Sequence, residues 1–124
     1  MEKLDFRGIY TVLYRVPDLA QGKAWYADAF GVQPYFDEPY YVGFNISGYE
    51  LGLLPLEGES AGRGGVVAYW GVPDVDAATA RMTTAGAVVH EPVQDVGGGI
   101  RVATVLDPFG NPIGLIENPQ FGVG

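Results

Sequence analysis

The stretch Asp107-Pro108-Phe109-Gly110-Asn111-Pro112-Ile113-Gly114-Leu115-Ile116-Glu117 decides the fold of this chain. Its start predicts a type I turn with a glycine bulge, because Asp opens the turn, Pro fixes φ at about −65° and Gly takes the left-handed position. Apolar residues from Ile100 to Leu106 and from Ile113 to Ile116 predict two antiparallel strands on either side. The stretch is therefore predicted to be a hairpin with a three-residue loop.

An earlier part of the chain repeats this pattern. Val16-Pro17-Asp18 and Val72-Pro73-Asp74 each end an apolar run and begin a helical pattern, 72 − 16 = 56 residues apart. The hairpin from Gly48 to Leu54 matches Gly110 to Ile116 at an offset of 110 − 48 = 62 residues. A duplication explains both offsets. It predicts an α+β fold of two tandem βαβββ modules, forming a curved mixed sheet around a cavity.

Local signals place the boundaries of these modules. A helix is predicted over Leu19 to Phe30, with Asp18 as its N-cap and Gly31 in a left-handed C-terminal cap. Ala87 to His90 predicts a strand of the second module. The Gly-rich, polar run from Leu56 to Gly65 is typical of a flexible connection. We predict one domain over residues 1–124, composed of module one (1–56), a linker (57–65) and module two (66–120).

The composition of the chain argues against several kinds of binding partner and site. Seven Lys and Arg against fifteen Asp and Glu give a net charge of −8, without any basic run, which argues against binding to nucleic acid or anionic membranes. The absence of cysteine excludes disulfides and thiolate sites. Residues 1–5 lack the pattern of a signal peptide, and no stretch approaches the ~18 apolar residues of a membrane span. We expect a cytoplasmic protein that does not contact membranes.

Taken together, these features resemble the vicinal oxygen chelate superfamily, which includes glyoxalases, bleomycin-resistance proteins and extradiol dioxygenases. The resemblance covers nearly the whole chain and implies a small-molecule ligand and a homodimer. The motifs that carry it are Val16-Pro17-Asp18-Leu19, Trp25-Tyr26, Phe30-Gly31, Val72-Pro73-Asp74-Val75-Asp76, Ala85-Gly86-Ala87 and Asp107-Pro108-Phe109-Gly110-Asn111.

The enzymes of this superfamily hold a divalent metal with a His on the first strand and a Glu or its equivalent on the last strand of each module. The resemblance puts these four positions at Thr11, Gly52, Val67 and Gly114. None of the four is a credible metal ligand, and the one histidine, His90, lies elsewhere. We predict no metal and no cofactor. The alternative is a displaced metal site that uses His90 with Glu117 or another carboxylate.

Alternation along the strands predicts which side chains face the cavity. In the closing hairpin, the three-residue loop pairs Thr104 with Gly114 and Val102 with Ile116, and directly opposed residues share a face. The same count pairs Arg101 with Glu117 on the helix side.

In the first hairpin, Ser47-Gly48-Tyr49 separates the two apolar runs. The same count, with Gly48 in the place of Gly110, pairs Val42 with Gly52, Tyr40 with Leu54 and Phe44 with Glu50. Glu50 is expected at the rim, where it would meet a cationic ligand or remain a solvated acid. The residues predicted to bind the ligand are Thr11, Leu13, Arg15, Tyr40, Val42, Phe44, Glu50, Gly52, Leu54, Val67, Tyr69, Val102, Thr104, Leu106, Gly114 and Ile116. No catalytic residue is predicted.

An apolar, aromatic cavity with few polar groups is typical of a small-molecule site. The first hypothesis is a metal-free protein that sequesters an aromatic or amphipathic molecule, cationic ones included, as antibiotic-resistance members of the superfamily do. The second is a lyase, isomerase or dioxygenase with an unconventional metal site. The third is metal-free acid/base catalysis by His90 or Glu50.

Overall fold

The structure, a computed structural model, describes residues 7–56 and 67–119. The chain divides into two compact units, residues 1–57 and 58–124. Each unit follows the order strand, helix and three strands, so the predicted α+β fold of two tandem βαβββ modules is confirmed. The predicted linker, residues 57–65, lies outside the described residues.

Each unit has its own four-stranded mixed sheet, ordered β1-β4-β3-β2 in unit one and β5-β8-β7-β6 in unit two. The first strand of each unit runs parallel to the last, and the remaining neighbours are antiparallel. Unit one contains β1 (Thr11–Val16), α1 (Leu19–Phe30), β2 (Phe36–Glu38), β3 (Tyr41–Ile46) and β4 (Tyr49–Pro55). Unit two contains β5 (Tyr69–Gly71), α2 (Val75–Thr84), β6 (Val88–Gly97), β7 (Ile100–Leu106) and β8 (Pro112–Glu117).

Both helices begin where local chemistry predicts, and α1 also ends there. The Asp18 carboxylate accepts a hydrogen bond from the first turn of α1, and Asp74 does the same for α2. Gly31 ends α1 with a φ of 69°, in the left-handed region that glycine adopts without strain. Neither of the two helices described is long and apolar enough to span a bilayer.

The core of each unit lies between its sheet and its helix. In unit one Tyr26 of α1 is fully buried and stacks on Tyr14 of β1, with ring centroids 5.5 Å apart. The other buried sheet residues of unit one are Val16, Val42, Phe44, Leu51 and Leu53. In unit two the buried apolar residues are Val75, Met82, Ala87, Ala103, Val105, Ile113 and Leu115.

The closing hairpin has the predicted loop and register. Gly110 has a φ of 94°, and the buried Asp107 carboxylate accepts hydrogen bonds from the Phe109 backbone (2.8 Å) and from the backbone and side-chain nitrogens of Asn111 (2.7 and 3.0 Å). The predicted pairs Thr104 with Gly114 and Val102 with Ile116 are confirmed.

The helix-side pair of this hairpin is also confirmed. Arg101 lies opposite Glu117, with 3.7 Å between Nη1 and Oε1. Its closer partner is Asp76 of α2, at 2.6 Å from Nη2. Glu117 also accepts a hydrogen bond from the Val75 backbone, which ties the last strand to the start of the helix.

The first hairpin has a two-residue loop, Ser47-Gly48, which is one residue shorter than the predicted loop. Ser47 and Gly48 have φ values of 52° and 94°, as in a two-residue hairpin turn, and the Asn45 side chain accepts a hydrogen bond from the Gly48 backbone. Ile46 therefore pairs with Tyr49, so Tyr49 belongs to the strand and not to the loop.

This shorter turn corrects the predicted pairing in unit one. Val42 pairs with Leu53, Phe44 pairs with Leu51, and Gly43 is the residue opposite Gly52. Because a shift of one residue exchanges the two faces of a strand, Val42 and Phe44 belong to the core and do not face a cavity. Tyr40 lies in the turn before β3, so its predicted pairing with Leu54 is also wrong.

Strand β2 was not predicted from the sequence, and strand β6 is longer than predicted. No strand was predicted for Phe36–Glu38, and only Ala87 to His90 was predicted where β6 runs over Val88–Gly97. The pairing of β6 with β7 shifts register three times, once between Val89 and Glu91, where the exposed His90 lies. Such bulges let an edge strand continue while its pairing changes.

Candidate functional site

The side of the unit-one sheet that faces away from α1 carries most of its polar side chains. We call it open face one. Parallel pairing of β1 with β4 places Thr11 opposite Glu50, Leu13 opposite Gly52 and Arg15 opposite Leu54. These six residues share a face, as alternation predicted. Antiparallel pairing adds Tyr41, Gly43 and Asn45 from β3.

Glu50 is the centre of a hydrogen-bond network on open face one. Its Oε1 accepts from the Thr11 hydroxyl at 3.0 Å and from the Tyr41 hydroxyl at 2.7 Å, and its Oε2 accepts from the Tyr35 hydroxyl. Tyr35 comes from the loop between α1 and β2, and its ring lies above Gly43 beside the Glu50 carboxylate. A Cβ on Gly43 would be 2.8 Å from Glu50 Oε2 and 3.2 Å from the Tyr35 ring, so any larger residue would displace the carboxylate or the ring.

These hydroxyl groups stabilise the charged form of Glu50. The hydrogen bond from Tyr35 is the largest cause that lowers the pKa of Glu50; partial burial opposes it, and the bonds from Tyr41 and Thr11 add to the lowering. The same bond to Glu50 raises the pKa of Tyr35. Burial, followed by the bond to Glu50, raises the pKa of Tyr41. At neutral pH the network is therefore a carboxylate held by neutral hydroxyls.

Removal of the Tyr35 hydroxyl tests this assignment. Tyr35→Phe is expected to raise the pKa of Glu50 towards its usual value, measured by NMR titration of the side-chain carboxyl carbon. Because the folded pKa lies below the unfolded one, the network stabilises the folded state above the unfolded pKa, and this contribution disappears as the pH falls through the folded pKa. Tyr40→Phe, which removes a hydroxyl outside the network, is the control. Equal titration of Glu50 in both variants would contradict the assignment.

A cavity of about 270 Å³ adjoins the network where β1 and β4 begin. Three tyrosine residues, Tyr10, Tyr35 and Tyr49, are among those that line it. Its polar groups come from Thr11, Asn45 and Glu50. Of these residues only Thr11 and Glu50 were predicted to bind a ligand.

One face of the unit-two sheet carries the predicted ligand-binding residues of that unit. We call it open face two, and it is more apolar than open face one. Tyr69 lies opposite Gly114 and Gly71 opposite Ile116 across β5 and β8. The β7 residues Val102, Thr104 and Leu106 share this face. Thr104 is buried and its hydroxyl donates to Glu91 Oε1 of β6 at 3.1 Å. Val67 precedes β5 and is partly exposed.

A cavity of about 530 Å³ lies beside Tyr69 in unit two. An added Cβ on Gly71 would meet no atom within 4 Å, so the space above this residue is open. Tyr69 itself is 46% exposed. The residues that line the cavity are Tyr69, Gly71, Val72, Pro73, Ile116 and Asn118.

The two glycines at the expected metal positions are covered by side chains. A Cβ on Gly114 would be 2.6 Å from Cδ2 of Tyr69, and one on Gly52 would be 2.8 Å from Cδ2 of Leu13 and would also overlap the Tyr41 hydroxyl. These glycines therefore do not widen the face. They let the rings of Tyr69 and Tyr41 approach the sheet closely.

The residues at the expected metal positions do not fit a metal ion. Thr11 donates its hydroxyl to Glu50, Val67 has an apolar side chain, and the glycines have no donor atoms. Within residues 7–56 and 67–119, no three His, Cys, Asp or Glu side chains lie close enough together to hold a metal. The alternative metal site would use Glu117 with His90. The Glu117 carboxylate, however, accepts a hydrogen bond from the Val75 backbone and forms an ion pair with Arg101 on the helix side of the sheet.

Several residues that line the cavities were not predicted from the sequence. Those of unit one are Tyr10, Tyr35, Asn45, Gly48 and Tyr49; those of unit two are Val72, Pro73 and Asn118. Ser47-Gly48 was the available signal in unit one, because Ser-Gly is a turn dipeptide and a two-residue loop would have put Asn45 opposite Glu50. Tyr35 had no comparable signal, since it lies outside any regular strand.

Comparisons with known proteins identify relatives of this fold. The family model described as "Glyoxalase/Bleomycin resistance protein/Dioxygenase superfamily" matches residues 8–115. A glyoxalase-related enzyme from Fulvimarina pelagi is 20% identical, with a TM-score of 0.79 over 96% of this chain and 94% of that one. A lactoylglutathione lyase from Agrobacterium tumefaciens is 20% identical, with a TM-score of 0.74 over 97% and 100%. No curated protein matches the chain significantly.

Proposed function

The chain belongs to the glyoxalase/bleomycin resistance protein/dioxygenase superfamily, and from that premise we propose that it binds a small aromatic or amphipathic molecule without a metal ion. The observation that carries the proposal is the cavity of about 530 Å³ in unit two, open above Gly71 and bordered by the ring of Tyr69. A volume of this size lies within the range of about 300–1,000 Å³ for small-molecule sites.

The chemistry of the cavity supports an aromatic ligand. Tyr69, Val72, Pro73 and Ile116 offer a largely apolar lining, and Asn118 adds one polar side chain. Tyr69 is held by its contact with Gly114, so its ring is available for stacking with little loss of side-chain entropy. An apolar lining with few polar groups binds by shape and stacking, and it requires no catalytic residue.

The proposal is tested by ligand-induced stabilisation. A library of neutral and cationic aromatic compounds is expected to contain ligands that raise the melting temperature by about 5 °C at ten times Kd. Treatment with EDTA followed by dialysis is expected to leave this shift unchanged. Gly71→Leu, which fills the open space, is expected to abolish the shift while it leaves the ligand-free melting temperature nearly unchanged.

Ala24→Leu provides the matched control for this variant. It introduces the same leucine side chain at an exposed position of α1 in unit one, so the ligand-induced shift should persist. A full shift in Gly71→Leu, or no shift with any compound, would contradict the proposed function.

A metal-dependent lyase, isomerase or dioxygenase is the alternative function. Likeness to the lactoylglutathione lyase, at 20% identity, supports the fold alone. Elemental analysis of protein purified without chelators separates the two functions, since a stoichiometric metal that survives dialysis would favour the enzyme. The homodimer and the role in antibiotic resistance stay predictions from the resemblance. The cytoplasmic location, and ligand binding by the predicted residues other than Val42 and Phe44, stay predictions from the sequence.

A further inference from the structure

We propose that the cavity of unit one binds a neutral vicinal diol, the pair of adjacent hydroxyl groups that sugars carry, with the Glu50 carboxylate as acceptor and the Asn45 side-chain amide as donor. This second site goes beyond the function proposed for unit two. The observation that carries it is that Glu50 and Asn45 lie opposite each other on neighbouring strands and line the same cavity of about 270 Å³.

The part of the cavity wall that lies on open face one is polar. Thr11 of β1, Glu50 of β4 and Asn45 of β3 are paired in register, so their side chains form one row across three strands. Alternation along β4 turns the side chain of Tyr49 to the opposite face, so it adds no ring beside Glu50. A ligand on this part of the wall therefore meets hydrogen-bonding groups.

The Glu50 carboxylate has room for one more donor. It accepts from the hydroxyls of Thr11, Tyr35 and Tyr41, which take three of its about four acceptor positions. All three donors are neutral, and within residues 7–56 and 67–119 no Lys or Arg forms an ion pair with the carboxylate, so it keeps its charge. The three bonds also fix its orientation, so binding costs little side-chain entropy.

The Asn45 side chain supplies a donor beside this acceptor. Its Oδ1 accepts a hydrogen bond from the Gly48 backbone at 2.7 Å, which fixes the orientation of the amide group. The Nδ2 hydrogens form no hydrogen bond with any residue that the structure describes. Opposed residues on neighbouring strands have Cβ atoms about 5 Å apart, so one small ligand can reach both side chains.

A vicinal diol matches this pair of groups. A hydroxyl both donates and accepts, so one hydroxyl can donate to Glu50 while its neighbour accepts from Asn45 Nδ2. An ammonium group has no acceptor for Asn45, and an anion is repelled by Glu50 and by the net charge of −8. The cavity volume of about 270 Å³ lies just below the range of about 300–1,000 Å³ for drug-sized ligands, so it suits a single sugar ring.

The test compares methyl β-D-ribofuranoside with its 2-deoxy analogue, which lacks one hydroxyl of the diol. The ribofuranoside is expected to bind the wild-type chain with Kd of about 2 mM, measured by NMR shifts of the backbone amides of Thr11 and Gly48. The deoxy analogue is expected to bind about 10-fold more weakly, because it leaves one of the two protein groups without its partner. Methyl α-D-mannopyranoside, a hexose with a cis diol, distinguishes a hexose from a ribose as the source of the diol.

Two variants remove the two groups one at a time. Glu50→Gln removes the charge of the acceptor and is expected to weaken binding of the diol by about 10-fold. Glu38→Gln is its matched control, because Glu38 lies opposite Tyr41 on the same sheet but does not line the cavity, and it should change binding by less than about 2-fold.

Asn45→Ala removes the donor and is expected to weaken binding of the diol by about 5-fold. It leaves the Glu50 network intact, so the test stays decisive if Glu50→Gln fails to fold. Asp95→Ala is the control, because Asp95 also accepts a hydrogen bond from a turn glycine, Gly97, at 2.7 Å, but lies in unit two. Binding of the diol should be unchanged in this variant.

The outcomes separate this inference from the proposed function. No binding of either diol glycoside up to ~50 mM, equal binding of the deoxy analogue, or unchanged binding in Glu50→Gln or in Asn45→Ala would overturn the inference. Binding that is weakened in these two variants and kept in their controls supports the site. Gly71→Leu tests the cavity of unit two separately, so the proposed function does not depend on this result.

Discussion

Asp107→Ala is expected to lower the free energy of unfolding by about 3 kcal/mol, because it removes a buried carboxylate that accepts three hydrogen bonds. Two of these donors belong to Asn111, itself buried, and would be left without this partner. The lost hydrogen bonds belong to the loop that sets the register between β7 and β8. We therefore expect a lower melting temperature by about 10 °C.

Urea unfolding, followed by fluorescence, measures this effect. In a Trp25→Phe background the signal comes from Trp70 and reports on unit two alone. Asp95→Ala is the control in the same unit: this exposed carboxylate accepts one backbone hydrogen bond, from Gly97, and its loss should cost about 0.5–1 kcal/mol. If both variants lost equal stability, the Asp107 network would not hold the hairpin as we infer.

Gly114→Ala is expected to destabilise unit two by about 2 kcal/mol through overpacking. The new Cβ would lie 2.6 and 2.7 Å from ring atoms of Tyr69 and 2.8 Å from the backbone oxygen of Ala68. That oxygen accepts a hydrogen bond from the Gly114 backbone, so it cannot move away without breaking the pairing of β5 with β8. The Tyr69 ring would have to rotate out of its present position.

Gly71→Ala is the control for this variant. It makes the same change on the neighbouring strand, where an added Cβ meets no atom within 4 Å, and should alter stability by less than about 0.5 kcal/mol. Thermal and urea unfolding measure both variants, and NMR of the Tyr69 ring protons reports its displacement. A stable Gly114→Ala with an unmoved ring would show that the close approach to Gly114 matters little.

The two hairpins show where sequence patterns predict a face and where they do not. In the closing hairpin, Asp107-Pro108-Phe109-Gly110 specifies a three-residue loop. The predicted pairs, Thr104 with Gly114 and Val102 with Ile116, are confirmed. In the first hairpin, the two halves match from Gly48 onwards but differ by one residue before it, because the turn is Ser47-Gly48. This difference of one residue in the loop places Asn45, and not the predicted Phe44, on open face one.

The sequence by itself determined the order of elements, the helix caps and the register of the last two strands. Each depends on local chemistry: Asp18 and Asp74 bond to the turn that follows them, and Gly110 adopts a φ that few other residues tolerate.

Only the tertiary structure decided which side chains meet on the open faces. Tyr35 reaches Glu50 from a loop 15 residues away, and Tyr69 covers Gly114 across a parallel pair of strands. Such contacts join segments that are distant in the chain, so no local pattern of residues encodes them. They arise when the sheet brings the segments together and its glycines leave room for the rings.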